Sequence, residues 1–210
     1  MLTPDDHARI REAVDKAERE VAAEIVPCVF SESGHYPESI WGGAAAGAAL
    51  AASALIAADF TSPVLWPLWK ALLCVPAAGL LGAALGRWVP AFKRFFVGAH
   101  HLDESVARRA KEVFFDRGLD RAKARDGVLI FASLLERRAV VLADESVRAR
   151  VPPQAWTPVV DALTAAAARG RIGDGLVAAV EEAAKVLAAA GLSGRGGGDL
   201  GDEAVEEDGA

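Results

Sequence analysis

Residues 127–132 read GVLIFA, an uninterrupted apolar run that follows Asp126 and leads towards a polar turn at residues 136–138. A run of this kind is typical of a β-strand buried on both faces of a sheet. Residues 139–143, AVVLA, supply a second apolar run directly after the turn. The two runs and the short turn between them predict an antiparallel β-hairpin.

Further helices and one further strand are predicted on both sides of this hairpin. Each helix shows apolar residues at a spacing of three or four, and the extra strand is a short apolar run. These elements are a helix with an apolar face at Ile10, Val14, Ala17 and Val21, a strand over Ile25–Phe30, a helix over Leu102–Arg117, and two helices between Thr157 and Leu187.

The order of these elements predicts an α/β fold with a small mixed sheet flanked by helices. One strand precedes residue 40 and two follow residue 102. The sheet is therefore expected to close only when the first forty residues pack on residues 102–190.

The segment between the two halves is apolar. Residues 41–90 hold three charged side chains, whereas 25% of the whole chain is charged. The nineteen residues Ile40–Ala58 carry no charge, and at about 1.5 Å each they span about 28 Å, close to the thickness of a bilayer core. A second run, Val64–Gly86, has Lys70 as its single charge. The pattern predicts a transmembrane helical hairpin; two buried helices in a soluble alanine-rich bundle are the alternative.

Glycines recur at a spacing of four in both apolar runs, at Gly43 and Gly47 and at Gly82 and Gly86. Small residues at this spacing let helix backbones approach closely inside a membrane. We expect them to pack the two helices together, and they could also join two copies of the chain in a homodimer.

Basic residues are concentrated on one flank of the hairpin. Arg87, Lys93 and Arg94 follow the second run, whereas Lys70 is the single cation near the turn. By the positive-inside rule both flanks face the cytoplasm. The chain opens with a charged helix and not with a secretory leader. We therefore expect a two-pass protein of a bacterial inner membrane, with both termini and the folded domain in the cytoplasm.

Residues 87–101 interleave aromatic rings with cations. This composition suits a segment lying on the anionic inner surface of a membrane. A continuation of the transmembrane helix explains the same residues equally well, so both interpretations stay open.

Four segments result from these patterns. The last of them holds six acidic residues and a glycine run, a composition that predicts disorder. The segments are the N-terminal helix and first strand (1–36), the transmembrane hairpin (37–91), the remainder of the folded domain (92–190) and the acidic tail (191–210).

The central motif resembles a known family. FFDRGL at residues 114–119, DGVLIF at 126–131 and ERRAVVLAD at 136–144 are similar to the TPM domain, named after a thylakoid-lumen protein, a photosystem II repair factor and a nematode receptor modulator. The resemblance covers residues 3–30 and 102–190, with the hairpin as an insertion. It implies an α/β fold, acid phosphatase activity with a bound divalent ion in some members, and roles in assembly, repair or modulation of membrane complexes in others.

The acidic residues of the shared motif are the candidate metal ligands. A hairpin brings Asp126, before its first strand, beside Asp144, after its second, and hard cations such as calcium or magnesium need oxygens that converge. Glu136 lies at the opposite end of the hairpin and is a poor third ligand. Solvated carboxylates are the alternative, as are ion pairs, for which the partners would be Arg125, Arg148 and Arg150.

Two functions follow from these expectations. The first is an interaction, assembly or quality-control module for membrane proteins, with the lipid bilayer and a membrane protein as partners. The second is a divalent-metal-dependent phosphatase of the TPM type, although Ser133 and Ser146 are the only hydroxyls near the motif and neither is a convincing nucleophile. Catalytic residues therefore stay unassigned, we find no organic cofactor motif, and the absence of a strongly basic segment argues against nucleic acid as a partner.

Overall fold

The computed structural model describes residues 2–61, 67–121, 126–194 and 205–207. The described part of the chain forms eight α-helices, four strands and two short 3₁₀ turns. The elements are α1 (Pro4–Glu20), β1 (Glu24–Phe30), α2 (Pro37–Thr61), α3 (Leu68–Trp88), α4 (Pro90–Phe96), α5 (Ala99–Asp116), a 3₁₀ turn (Leu119–Arg121), β2 (Gly127–Ser133), β3 (Arg138–Ala143), α6 (Glu145–Arg148), a 3₁₀ turn (Pro153–Trp156), α7 (Thr157–Ala168), α8 (Ile172–Ala189) and β4 (Val205–Glu207).

The chain divides into two compact units. Residues 1–34 and 103–210 form the first unit, and residues 35–102 form the second. The apolar insertion predicted from the sequence thus folds as a separate unit, and the segments before and after it build a common domain.

The sheet of the first unit has the strand order β3-β2-β1-β4. β1 pairs with β2 in parallel, with Ile25 opposite Val128, and β2 pairs with β3 antiparallel, with Val128 also opposite Ala143. The predicted hairpin is confirmed, and so is the closure of the sheet by the strand that precedes the insertion. The sheet is mixed because of this connectivity. The short turn between β2 and β3 makes them antiparallel, whereas the long segment between β1 and β2 allows them to be parallel.

Side chains from the sheet enter two apolar clusters, one on each face. On β1, Ile25 and Val29 face one cluster, while Val26 and Cys28 face the other, as the two-residue period of a strand requires. Helices α1, α7 and α8 cover the first face, and α5 covers the second. Burial on both faces explains why the GVLIFA run has no polar residue.

The acidic tail differs in part from its predicted disorder. The backbone of Val205–Glu207 forms the short strand β4, which runs parallel to β1 beside Cys28–Phe30. Without β4, the outer edge of β1 has unpaired backbone groups, and any extended segment can satisfy them. Pro27, which has no N–H to donate, lies one residue before this pairing begins. Residues 195–204 and 208–210 lie outside the described part of the tail.

The second unit is an antiparallel helix pair followed by a short helix. α2 and α3 extend somewhat beyond the apolar runs from which they were predicted. Their glycines meet backbone to backbone: a Cβ added at Gly43 would collide with the carbonyl of Gly82, and one at Gly47 with the carbonyl of Ala78. Ser39 Oγ also donates to the carbonyl of Gly86 over 3.0 Å. These glycines therefore pack α2 against α3 within one chain, and the homodimer stays a prediction.

Candidate functional site

The β2–β3 hairpin brings two predicted site residues to one end of the sheet. Asp126 precedes β2 and Asp144 follows β3, and the N–H of Asp144 donates to the carbonyl of Gly127 over 2.9 Å. On the other side, the carbonyl of Asp126 accepts from the N–H of Glu24 over 3.3 Å. The predicted proximity of the two aspartates is thus present.

Asp144 has one carboxylate oxygen in use and one without a partner. It caps the N-terminus of α6, and its Oδ1 accepts from the N–H of Glu145 over 2.7 Å. Its Oδ2 is buried and has no hydrogen-bond partner among the described residues. A buried carboxylate oxygen is normally hydrogen-bonded or bound to a cation, so this oxygen can still accept a hydrogen bond or bind a cation.

A third aspartate, which the sequence did not single out, has the same property. Asp120 lies in the 3₁₀ turn that follows α5 and Gly118, where the backbone φ is 69°. Its Oδ1 is buried and also lacks a hydrogen-bond partner within the described part. In the sequence, Asp120 is an aspartate next to an apolar residue, Leu119, just after a predicted helix. Nothing in this local pattern indicates that the turn lies near Asp144.

Asp120 and Asp144 line one cleft of about 380 Å³ beside the sheet. It combines two carboxylates with two cations between aromatic and aliphatic walls. Its lining residues are Lys111, Phe114, Phe115, Asp120, Leu142, Ala143, Asp144 and Arg148. Carboxylates and cations together can bind a metal ion and an anion bound to that ion.

The carboxyl of Asp126 is influenced by burial and by its neighbour. Burial raises its pKa above the usual 3.8, a backbone hydrogen bond opposes this, and the charge of Asp144 raises the pKa further. Two carboxylates that repel each other and are partly removed from water favour a proton or a cation. The electrostatics therefore agree with the expectation that this end of the hairpin attracts positive charge.

The oxygen donors suit a hard cation that keeps much of its water. No group of three or more His, Cys, Asp or Glu side chains is arranged to hold a metal ion within the described ranges, so a closed protein cage of the kind typical of Ca²⁺ is not formed there. Mg²⁺ is commonly held by one or two carboxylates, with water and substrate phosphate as the other ligands. The partnerless oxygens of Asp120 and Asp144 fit that second pattern.

The alternative of ion pairs at the two predicted ligands receives no support from the described arginines. The ion pairs found in the described ranges do not join Asp126 or Asp144 to Arg148 or Arg150. Arg125, the third arginine considered, lies outside the described residues.

Glu136 occupies the opposite end of the hairpin, where its position excludes it from the cleft. It is 2% exposed, and it accepts hydrogen bonds from the N–H of Ser33 over 2.9 Å and from Ser133 Oγ. Ser33 Oγ also donates to Ser133 Oγ over 2.8 Å. This buried network joins the end of β2 to the residues after β1. Ser133 therefore has a structural role at the far end of the sheet.

The helix pair of the second unit presents an apolar surface. Among the described residues one helix, Pro37–Thr61, is long and apolar enough to cross a membrane, and 6% of its apolar 18-residue stretch is buried. A second such segment exists if Leu72–Trp88 and Pro90–Phe96, which meet at 101°, are counted as one. Length and composition by themselves are weak evidence of membrane association, but a core helix of a soluble protein would be mostly buried.

Comparison with known proteins places these features in a family context. Residues 94–186 match the model of the TPM domain family. No curated protein matches the chain. The structure resembles the NMR structure of the BA42 protein from the psychrophilic bacterium Bizionia argentinensis, with a TM-score of 0.57 and 16% identity over 99% of this chain and 96% of that one. At this identity the likeness shows the fold alone.

Proposed function

We propose that this protein is a two-pass membrane protein whose TPM domain serves as an interaction, assembly or quality-control module for other membrane proteins. One observation carries the membrane part of the proposal. Exposed aromatic rings stand nineteen residues apart on both helices, at Trp41 and Phe60 on α2 and at Trp69 and Trp88 on α3. Nineteen residues of helix rise about 28 Å, which matches the distance between the two interfaces of a bilayer core.

The surface between these rings supports insertion into lipid. It is formed by exposed aliphatic side chains on both helices, which in water would be an unusually large apolar patch. They include Leu50 and Ile56 on α2 and Leu72, Leu73, Leu80, Leu81 and Leu85 on α3. A soluble bundle would have to cover them, and the helix pair itself leaves them exposed.

The proposed orientation follows from the antiparallel pair and its charges. α2 begins and α3 ends at the same end of the unit, because Ser39 contacts Gly86 there. Arg87, Lys93 and Arg94 follow at this end. We place it at the cytoplasmic face, so that both termini and the TPM domain are cytoplasmic.

Labelling of single cysteines tests this topology. Asp59→Cys, near the turn, is expected to react with an impermeant maleimide in intact spheroplasts, whereas Glu12→Cys, exposed on α1, reacts only after lysis. Both changes are made in a Cys74→Ser background, since Cys74 is exposed and Cys28 is buried. Labelling of Glu12→Cys in intact spheroplasts would contradict the orientation, and equal labelling of both sites would contradict membrane insertion.

The proposed interaction role is based on the confinement of the domain to the membrane surface. A domain tethered to a bilayer meets other membrane proteins at a higher effective concentration than a free domain does. The acidic tail and the outward sides of α7 and α8 are the surfaces we expect to contact such a partner.

Cross-linking in membranes followed by affinity capture tests this role. The full chain is expected to recover a membrane protein that a variant lacking residues 41–90 does not recover, because the variant loses the tether. A second variant without residues 195–210 tests whether the acidic tail contributes. Failure of the full chain to recover any membrane protein above the level of the tetherless variant would contradict the proposal.

A divalent-metal-dependent phosphatase is the second candidate function. The observation that favours it is the common cleft of Asp120, Asp144, Lys111 and Arg148. Asp120 and Asp144 would hold a divalent ion, and that ion would supply positive charge to a phosphoryl group. Lys111 and Arg148 are placed to bind phosphate oxygens, and the walls formed by Phe114 and other apolar side chains would exclude water.

A further inference from the structure

We propose that α4, together with Arg87 and Trp88 just before it, binds anionic phospholipid headgroups at the membrane surface. This inference rests on the proposed membrane insertion of α2 and α3 and adds a lipid specificity to it. The occupant we propose is an anionic phospholipid such as phosphatidylglycerol.

The bend before α4 decides between the two interpretations of residues 87–101. α3 and α4 meet at 101°, so α4 does not continue the transmembrane helix. Val89 adopts an extended backbone between them, with φ −98° and ψ 108°, and Pro90 occupies the first turn of α4. Proline suits that position because it has no N–H to leave unpaired. If α3 crosses the bilayer, a helix at about a right angle to it lies roughly along the surface.

Contacts with α2 hold α4 at this angle. The ring of Phe96 lies against Gly42, and that of Phe92 against Gly43, where in both cases an added Cβ would crowd the ring. The two rings also contact each other, with centroids 5.0 Å apart. Gly42 and Gly43 directly follow Trp41, one of the four aromatic residues that mark the ends of the helix pair. α4 therefore lies at the depth of the membrane interface.

The outward side of this segment combines aromatic rings with positive charge. Trp88 is 75% exposed and Phe95 is 80% exposed, which suits rings inserted at headgroup level. Arg87 is exposed and Arg94 is half-buried in the same segment, and the sequence contains no acidic residue between Asp59 and Asp103. Rings and cations without acidic residues complement an anionic lipid surface better than a neutral one.

Lys93 adds a cation fixed in place within the same segment. Its side chain is 8% exposed, and its Nζ lies 5.8 Å from the centroid of the Tyr36 ring. Because this lysine is part of the packing of the unit, we leave it intact in the test and change the two arginines.

Lipid binding by the full chain in detergent tests the inference. Microscale thermophoresis is expected to show tighter binding of palmitoyl-oleoyl phosphatidylglycerol than of the matching phosphatidylcholine. Arg87→Gln with Arg94→Gln should weaken phosphatidylglycerol binding about twenty-five-fold, since each basic residue near an anionic surface contributes roughly fivefold. Raising the salt concentration from about 0.15 M to about 0.5 M should weaken phosphatidylglycerol binding by the wild type, because the attraction is electrostatic. Phosphatidylcholine binding should not change.

The matched control is Arg150→Gln with Arg169→Gln, which removes two exposed arginines from the other unit and changes the net charge equally. It should bind phosphatidylglycerol like the wild type. Circular dichroism confirms that both double variants are folded. Equal affinity of the wild type for the two lipids would overturn the inference. Loss of partner capture by the Arg87/Arg94 variant, with its lipid binding unchanged, would also overturn it and would assign α4 to a protein.

Carbonate extraction separates this inference from the proposed function. A wild-type protein that stays in the membrane in carbonate, yet shows no preference for the anionic lipid, contradicts the lipid specificity alone. A wild-type protein that carbonate releases contradicts both.

Discussion

Replacing Gly82 with alanine is expected to destabilise the helix pair by about 1–3 kcal/mol, the usual effect of forcing an extra methyl group into a close-packed contact. The added Cβ would collide with the backbone carbonyl of Gly43. A backbone carbonyl cannot rotate away as a side chain can, so α2 and α3 would have to separate. Unfolding of the full chain in detergent, followed as a function of added dodecyl sulfate, measures the effect.

Gly79→Ala is the matched control for this change. Gly79 lies on the same helix, one turn before Gly82, and its added Cβ would be 3.4 Å from the carbonyl oxygen of Ala44 and 3.6 Å from the Cβ of Ala48. These are ordinary contact distances, so the stability should stay the same or rise slightly through better helix propensity. Equal destabilisation by both changes would contradict the close backbone contact of Gly82 with Gly43 as the cause, because alanine improves helix propensity at both positions.

Magnesium is expected to raise the melting temperature of the full chain, and Asp144→Asn is expected to abolish that rise. At a concentration one hundred times its dissociation constant the ion should stabilise the fold by about 2.7 kcal/mol, or roughly 5–10 °C for a chain of this size. Asparagine is a good helix N-cap, so the variant keeps the cap of α6 while it loses the charge. Differential scanning fluorimetry with and without the ion measures the difference.

Asp161→Asn is the control for this prediction, because Asp161 is an exposed aspartate on α7 away from the cleft. Its response to magnesium should equal that of the wild type. The same rise in all three proteins would show that the ion binds elsewhere.

The magnesium effect should grow as the pH rises. Because the pKa of Asp126 is raised in the folded protein, the folded state binds a proton more tightly than the unfolded state does. The stability that this proton contributes is lost as the pH rises through the folded-state pKa, which lies above 3.8. Asp126 does not line the cleft, but the charge of Asp144 raises its pKa. A proton on Asp126 and a cation bound to Asp144 both relieve this repulsion, so the stabilisation by the cation should increase over the pH range in which the proton is lost.

Hydrolysis of a generic phosphomonoester distinguishes the two candidate functions. If the cleft is catalytic, Asp120→Asn with Asp144→Asn should abolish a magnesium-dependent activity of the wild type. A wild type that binds the ion without hydrolysing the ester supports the interaction role, and turnover unchanged in the double variant excludes this cleft as the catalytic centre.

Much of the domain could be predicted from local patterns. The GVLIFA run predicted a strand buried on both faces, and the sheet confirms it, since Val128 and Leu129 face opposite apolar clusters. The helix predicted over Leu102–Arg117 is confirmed as α5, which ends just before Gly118, where φ is positive. These features follow from the short-range periods of helices and strands, which any window of the sequence contains.

The candidate site could be predicted only in part. A hairpin fixes which residues lie opposite each other, so the sequence was enough to predict that Asp126 and Asp144 lie close together. Asp120 could not, because its place beside Asp144 depends on how α5 and the turn after it pack against the sheet. Glu136 was correctly placed at the other end of the hairpin, but its bond to Ser33 joins residues 103 positions apart.

The amino-acid sequence by itself determined the elements, the apolar insertion and the end of the sheet at which two acidic residues meet, because each depends on neighbours within one or two turns of chain. The tertiary structure alone decided that the glycines join α2 to α3, that α4 turns away at 101° and that Asp120 and Asp144 line one cleft. These depend on contacts between residues distant in sequence, whose geometry is set when whole helices and strands pack against one another.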